Sequence, residues 1–116
     1  MRTATKTAGP LPERVLGLLG LGFKGGRVVI GVDRVRAGLQ QNAFGCVVVA
    51  EDASPRAREK VVRLAAGRRV PLVSGPPAEV IGARLGRPGV MVAGVLDRAL
   101  ARGLLSASSG PSPTEA

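Results

Sequence analysis

The sequence predicts an α/β protein: a three-layer α/β/α sandwich around a small mixed, mostly parallel sheet of about four strands. Three observations predict it. Cys46-Val47-Val48-Val49-Ala50 is a short apolar run, rich in β-branched residues and bounded by turn formers, and it reads as a strand buried on both faces. The run stops at Glu51-Asp52 and is followed by Ser54, a good helix N-cap, and Pro55, suited to the first helical position. The same alternation of apolar runs and helical periodicities recurs along the chain, as it does where helices cover a sheet.

Residues 1–11 are polar, small and basic, and read as a flexible basic arm. Pro12 and Glu13 open a helix whose apolar face is Val15, Leu16, Leu18 and Leu19. A glycine-rich stretch from Gly20 to Gly31 follows and encloses a short strand, Val28-Val29-Ile30. From Gly31 the pattern is helical, with Val32, Val35 and Leu39 on one stripe and Asp33, Arg34, Arg36 and Gln40 outside it. Asn42 tolerates the left-handed conformation that ends a helix. After the buried strand, a helix from Pro55 to Ala66 turns Ala57, Val61, Leu64 and Ala65 inward, pairs Glu59 with Arg63 outside, and stops at Gly67. Val70-Pro71-Leu72-Val73 reads as an edge strand, because proline donates no ladder hydrogen bond. Pro77 opens a helix through Val80, Ile81 and Leu85 that closes at Gly86. Val90 to Val95 is a second central strand, with Met91 in the core; Asp97 caps a last helix through Leu100 and Leu104. Residues 106–116 read as a disordered Ser/Pro tail, which leaves one domain, residues 12–105.

Composition narrows the function. With aromatics at only 2%, the core must be built of Val, Leu, Ile and Ala. A net charge of +9 points to a polyanionic partner, although arginine, alanine, glycine, valine and proline are also what GC-rich codons favour. No histidine and a single cysteine remove the common metal and haem ligand sets, the commonest general base and any Ser-His or Cys-His pair. The only adjacent acids, Glu51 and Asp52, point apart at a strand end and are read as solvating it, with Asp52 organising the turn into the next helix. The expectation is a cytoplasmic, non-catalytic protein with no cofactor, metal or small-molecule substrate; the apolar runs are too short for a membrane span.

Three segments are candidates for chemistry. Gly20-Leu21-Gly22-Phe23-Lys24-Gly25 satisfies G-x-G-x-x-G, but a helix precedes it where a dinucleotide site needs a strand. At Gly31 a strand turns into a helix, so unpaired amides and the helix dipole there attract phosphate. Lys24, Arg27, Arg34 and Arg36 are expected to surround that spot with positive charge, in a segment that also offers Gly26 as a candidate contact. The competing reading makes Gly31 a tight turn and the arginines a solvated face. The third segment is the loop Leu85-Gly86-Arg87-Pro88-Gly89-Val90 before the second central strand, in itself an ordinary connection.

Taken together, Leu19-Gly20-Leu21, Lys24-x-Gly26-Arg27-Val28-Val29-x-Gly31 and Val47-Val48-Val49-Ala50-Glu51-Asp52-Ala53-Ser54-Pro55 resemble the kink-turn RNA-binding ribosomal protein superfamily. Its type member is the archaeal protein called L-seven-Ae, with L-thirty-e as a sister, and the opening motif is most similar to the small bacterial YlxQ-like branch. The resemblance runs from about Pro12 to Leu105 and implies the same sandwich. It implies RNA contact through Gly31 with Val32, Asp33 and Arg34, through position Ala37, and through Leu85 to Val90, including Gly86, Arg87 and Gly89. Kink-turn binders carry an Asn-Glu pair and then a lysine on this helix; here Asp33-Arg34 and Ala37 stand in those places. Arg34 and Arg36 are left to restore phosphate contact.

The leading expectation is binding of structured RNA, ribosomal RNA first, by a ribosome-associated or assembly factor. A protein-interaction module of the same fold that has lost RNA affinity is the alternative, favoured by Ala37. The substrate-recognition part of an RNA-modifying enzyme comes last. Only Phe23 and Phe44 could stack on bases, so sequence-specific reading of single strands is not expected.

Overall fold

The computed structural model describes residues 10–109, with side chains described from 13 to 107. Five helices and four strands alternate: α1 (Pro10–Lys24), β1 (Val28–Ile30), α2 (Val32–Gln40), β2 (Cys46–Ala50), α3 (Pro55–Gly67), β3 (Leu72–Gly75), α4 (Ala78–Leu85), β4 (Val92–Val95) and α5 (Arg98–Ser109). The sheet order is β1-β4-β2-β3. α2 packs on α3, while α1 packs on α5 and α4.

The apolar runs at Cys46 and Val92 are the two central strands, buried along their whole length. β3 lies at an edge with Pro71 just outside it, where the Pro71 carbonyl accepts from the Val47 N–H at 3.0 Å. The strand itself begins two residues later than the run Val70 to Val73 indicated.

The sheet is mixed, and "mostly parallel" holds for strand directions but not for pairings. β1, β2 and β3 point the same way, yet only β2 and β3 pair in parallel. β4 enters between β1 and β2 from the opposite direction and pairs antiparallel with both, Val28 to Ile30 against Val95 to Ala93 and Cys46 to Val49 against Val95 to Val92. Placing the odd strand in the centre converts two of the three ladders. No local pattern carries that information, because a fully buried strand reads alike in either direction.

Helix α1 corrects the sequence at both ends. It starts at Pro10, inside the segment read as an arm, and runs through Gly20 and Gly22 to Lys24 instead of stopping before the glycines. Helix propensity at glycine is poor, but here packing decides. A Cβ on Gly22 would lie 2.8 Å from Val28 Cγ2 and would collide with Leu100, so this glycine lets α1 close onto β1 and α5. The G-x-G-x-x-G match therefore starts inside a helix. At the other end α5 continues to Ser109, four residues into the stretch read as tail, and Ala107 extends the buried line of Leu104. The rest of the arm and tail, residues 1–9 and 110–116, lies outside the described residues.

Several local readings hold. Asn42 has φ 56° after α2, Glu59 and Arg63 approach to 3.7 Å, and Asp97 Oδ1 accepts the Ala99 N–H at 2.8 Å to cap α5. The end of α3 differs: Gly67 is its last residue, and Arg69 rather than glycine takes the left-handed position, with φ 60°. Cys46 is fully buried, and loss of hydration pushes its thiol up to about 12, so it stays protonated and packs as a small hydrophobe. Among the described residues no helix is long and apolar enough to cross a membrane.

Candidate functional site

One end of the sheet collects the features that can meet an anion. The C-terminal ends of β1, β2 and β3 and the entry to β4 lie there together: the Gly31 N–H donates to Val92 O (3.2 Å), Ala50 N–H to Met91 O (2.8 Å) and Glu51 N–H to Gly75 O (3.1 Å). Helices α2, α3 and α4 each follow directly from a strand that ends at this side, so three helix N-termini converge on it. Their dipoles give the end a positive bias.

Two of these N-termini are closed by side chains. Ser54 Oγ accepts the Ala57 N–H at 3.1 Å and caps α3. Asp52 Oδ1 accepts the Ala78 N–H at 2.8 Å and caps α4, from the end of the neighbouring strand. The carboxylate read as organising the turn into α3 thus serves the next helix along. The α2 N-terminus has no side-chain cap. The Gly31 carbonyl accepts from Val35 N–H at 2.9 Å, and the amides of Val32, Asp33 and Arg34 have no hydrogen-bond partner among the described residues. Such an open first turn is a ready anion site.

Gly31 makes this opening. Its φ of 104° and ψ of 143° lie in a region that side chains disfavour. A Cβ there would meet nothing within 4 Å, so the position is reserved for glycine by its backbone and not by crowding. Gly31→Ala is expected to cost about 1–3 kcal/mol from backbone strain alone. Urea unfolding checks this, and an unchanged midpoint would mean the turn relaxes to another conformation.

Six of the twelve sequence-derived site residues share the open end or the first two turns behind it. Gly31, Asp33, Arg34 and Ala37 are exposed, and Val32 and Arg36 are half-buried. The Arg36 Nε is buried and unpartnered among the described residues. Gly89 joins them, because the loop after α4 climbs back until Val90 N–H donates to Ala78 O at 3.0 Å. A Cβ on Gly82 would lie 2.7 Å from Arg87 O, so Gly82 is what lets that loop lie flat on α4.

The other five lie elsewhere. Lys24, Gly26 and Arg27 sit at the opposite end of β1, about 13 Å away for four residues of extended chain. There the Leu96 N–H donates to Arg27 O, and Arg27 forms an ion pair with Asp97 at 2.8 Å. Arg27 and Lys24 therefore do not surround Gly31, as their closeness in sequence had implied; a strand separates chain neighbours where a helix would stack them. Gly86 ends α4 in the left-handed conformation, φ 74°. Arg87 reaches the C-terminal turn of α1, its guanidinium 5.3 Å from the centre of the Phe23 ring.

Sequence reasoning missed two residues at the open end. Arg58 turns back from α3, and its Nη2 donates to Ala50 O (3.2 Å) and Glu51 O (3.1 Å), closing the end of β2. Met91, expected in the core, precedes β4 and is 36% exposed, with its sulfur 3.5 Å from the Ser54 nitrogen. Neither had a local signal, since both roles depend on a segment distant in sequence or on the start of β4.

The model of the ribosomal protein L7Ae/L30e/S12e/Gadd45 family matches residues 13–102. No curated protein matches the sequence. Among solved structures, a protein of unknown function from Bacillus halodurans is similar at a TM-score of 0.79 and 22% identity, covering 83% of this chain and 97% of that one. A 15.5 kDa RNA binding protein from Giardia lamblia is similar at a TM-score of 0.73 and 17% identity, covering 86% of each chain. At these identities the two structures speak to the fold alone.

Proposed function

The chain belongs to the ribosomal protein L7Ae/L30e/S12e/Gadd45 family, and from that premise we propose that it binds structured RNA without catalysing a reaction. Ribosomal RNA is the favoured partner, kink-turn-like elements are the favoured shape, and the role is that of a cytoplasmic ribosome-associated or assembly factor. The observation that carries this reading is the uncapped N-terminus of α2, opened by Gly31 and flanked by Arg34 and Arg36. Three free amides and two guanidinium groups suit a phosphate at a sharp bend in an RNA backbone. One finding supports the reading from outside the site: a structurally similar Giardia lamblia protein is named as an RNA binding protein.

Kink-turn preference on this chain would have to work differently from the family pattern. Asp33 accepts hydrogen bonds but repels phosphate, so it suits base amino groups, while Arg34 and Arg36 carry the backbone contact. Gly89, at the same end, is the part of the loop after α4 that can approach the RNA closely. Lys24, Gly26, Arg27, Gly86 and Arg87 are left for flanking contacts.

Binding to a kink-turn RNA, to the same RNA with its tandem G·A pairs broken and to an unrelated hairpin, across a salt series, tests the proposal. Tighter binding to the intact kink-turn is the expected result. Equal, salt-sensitive binding to all three would leave general structured-RNA binding and remove the kink-turn preference. No binding at low salt would overturn the reading in favour of a protein-interaction module, which Ala37 and the acids at this end favour.

A further inference from the structure

The open end is not where the unopposed positive charge is concentrated. Around it, Arg34, Arg36 and Arg58 face Asp33, Glu51 and Asp52, and Arg58 is occupied by two carbonyls. The charge lies along α3 instead. Arg56, Lys60 and Arg63 are spaced four and three residues apart, which puts them on one helix face, and all three are exposed. Arg56 and Lys60 have no acidic partner among the described residues; Glu59 and Arg63 meet only at 3.7 Å with side chains 71% and 83% exposed, a weak pairing in water.

Two more arginines follow at the end of the helix, off that face: Arg68 lies about 120° round the axis from Arg56. Arg68 Nη1 is held by the neutral Asn42 Oδ1 at 3.3 Å, and Arg69 keeps a left-handed backbone that glycine or asparagine would adopt more easily. From Arg56 to Arg63 the track is about 10 Å long. Its first residue stands next to Ser54, whose backbone nitrogen touches Met91 at the open end, so the track begins where the proposed RNA site ends.

We propose that Arg56, Lys60 and Arg63 form a second RNA-contacting surface that holds the phosphate backbone of a helical stem extending from the element seated at Gly31. This rests on the RNA-binding reading above. A stem suits the track because double-stranded RNA is recognised through backbone and shape, which needs spaced cations and no aromatic platform. The α3 track offers those cations in a straight row and no aromatic residue.

The test compares a kink-turn RNA with a minimal flanking stem and the same RNA with that stem extended, using the full chain. Wild type is expected to bind the extended RNA more tightly and with a steeper salt dependence. Arg56→Gln, Lys60→Gln and Arg63→Gln together should keep the short-stem affinity, lose the gain from extension, and flatten the logarithmic salt slope by about 2–3 for three phosphate contacts. Glu59→Gln, which frees Arg63, should raise affinity for the extended RNA only. A triple variant that keeps the full gain from extension overturns the proposal while RNA binding itself stands. Equal loss on both RNAs also overturns it, since the track would then act as general attraction. Failure of wild type to bind either RNA overturns this proposal together with the reading on which it rests.

Discussion

Phe44→Ala is expected to lower stability by about 3–5 kcal/mol, as loss of a buried aromatic side chain does when its surroundings cannot close in. The ring is 7% exposed and is clasped by two glycines: a Cβ on Gly38 in α2 would lie 3.0 Å from its Cε1, and one on Gly94 in β4 would lie 2.7 Å from the same atom. Helix and strand have both given up side chains to admit it, so removal leaves a gap lined by backbone, which cannot rotate in to fill it. Native domains hold only about 5–15 kcal/mol in total, so at least a fifth of the stability is at stake. Urea or thermal unfolding measures this directly. A loss below about 1 kcal/mol would mean that α2 can settle onto β4 without the ring. The consequence reaches the candidate site, because Phe44 pins α2 to the strand whose first residue, Val92, holds Gly31.

Arg34→Glu with Arg36→Glu is expected to weaken RNA binding by about a hundredfold or more. Charge-assisted hydrogen bonds contribute about 1.5–3 kcal/mol each, two of them are removed, and each 1.4 kcal/mol is tenfold. Lys24→Gln with Arg27→Gln serves as the counterpart. Those residues lie at the far end of β1, and Arg27 is already paired with Asp97, so a change of only a few-fold is expected. Electrophoretic or fluorescence titration on one RNA at fixed salt compares the two pairs. Equal losses would show that recognition is spread over both ends of the sheet. Because Arg36 Nε is buried, unfolding of the double variant is checked in parallel. Arg34→Glu alone, at an exposed position, provides the comparison if the double variant is unstable.

Much of this was legible in the sequence, and the reasons are local. Helix starts at Ser54-Pro55 and Asp97, the left-handed residue Asn42 and the buried run at Cys46 all rest on interactions within a few residues. The glycine at the strand-to-helix turn was legible because a positive φ is a property of one residue. The limits of α1 were not. Gly20 and Gly22 look like the end of a helix, and only the approach of Leu100 and Val28 to Gly22 shows that the space is needed. Likewise Met91 looked like core, since periodicity cannot fix which residue begins a strand.

By itself, then, the sequence determined the alternating elements, the caps at Ser54 and Asp97, the glycine turn at Gly31 and the membership of the family. The tertiary structure alone decided that β4 lies reversed in the middle of the sheet, that Asp52 caps α4, and that Arg27 turns away to Asp97. It also decided that the free positive charge runs along α3. The reason is one of range. Backbone conformation and capping are governed by neighbours in the chain, whereas strand order and the meeting of charges follow from burying both faces of one sheet, a condition no single segment can express.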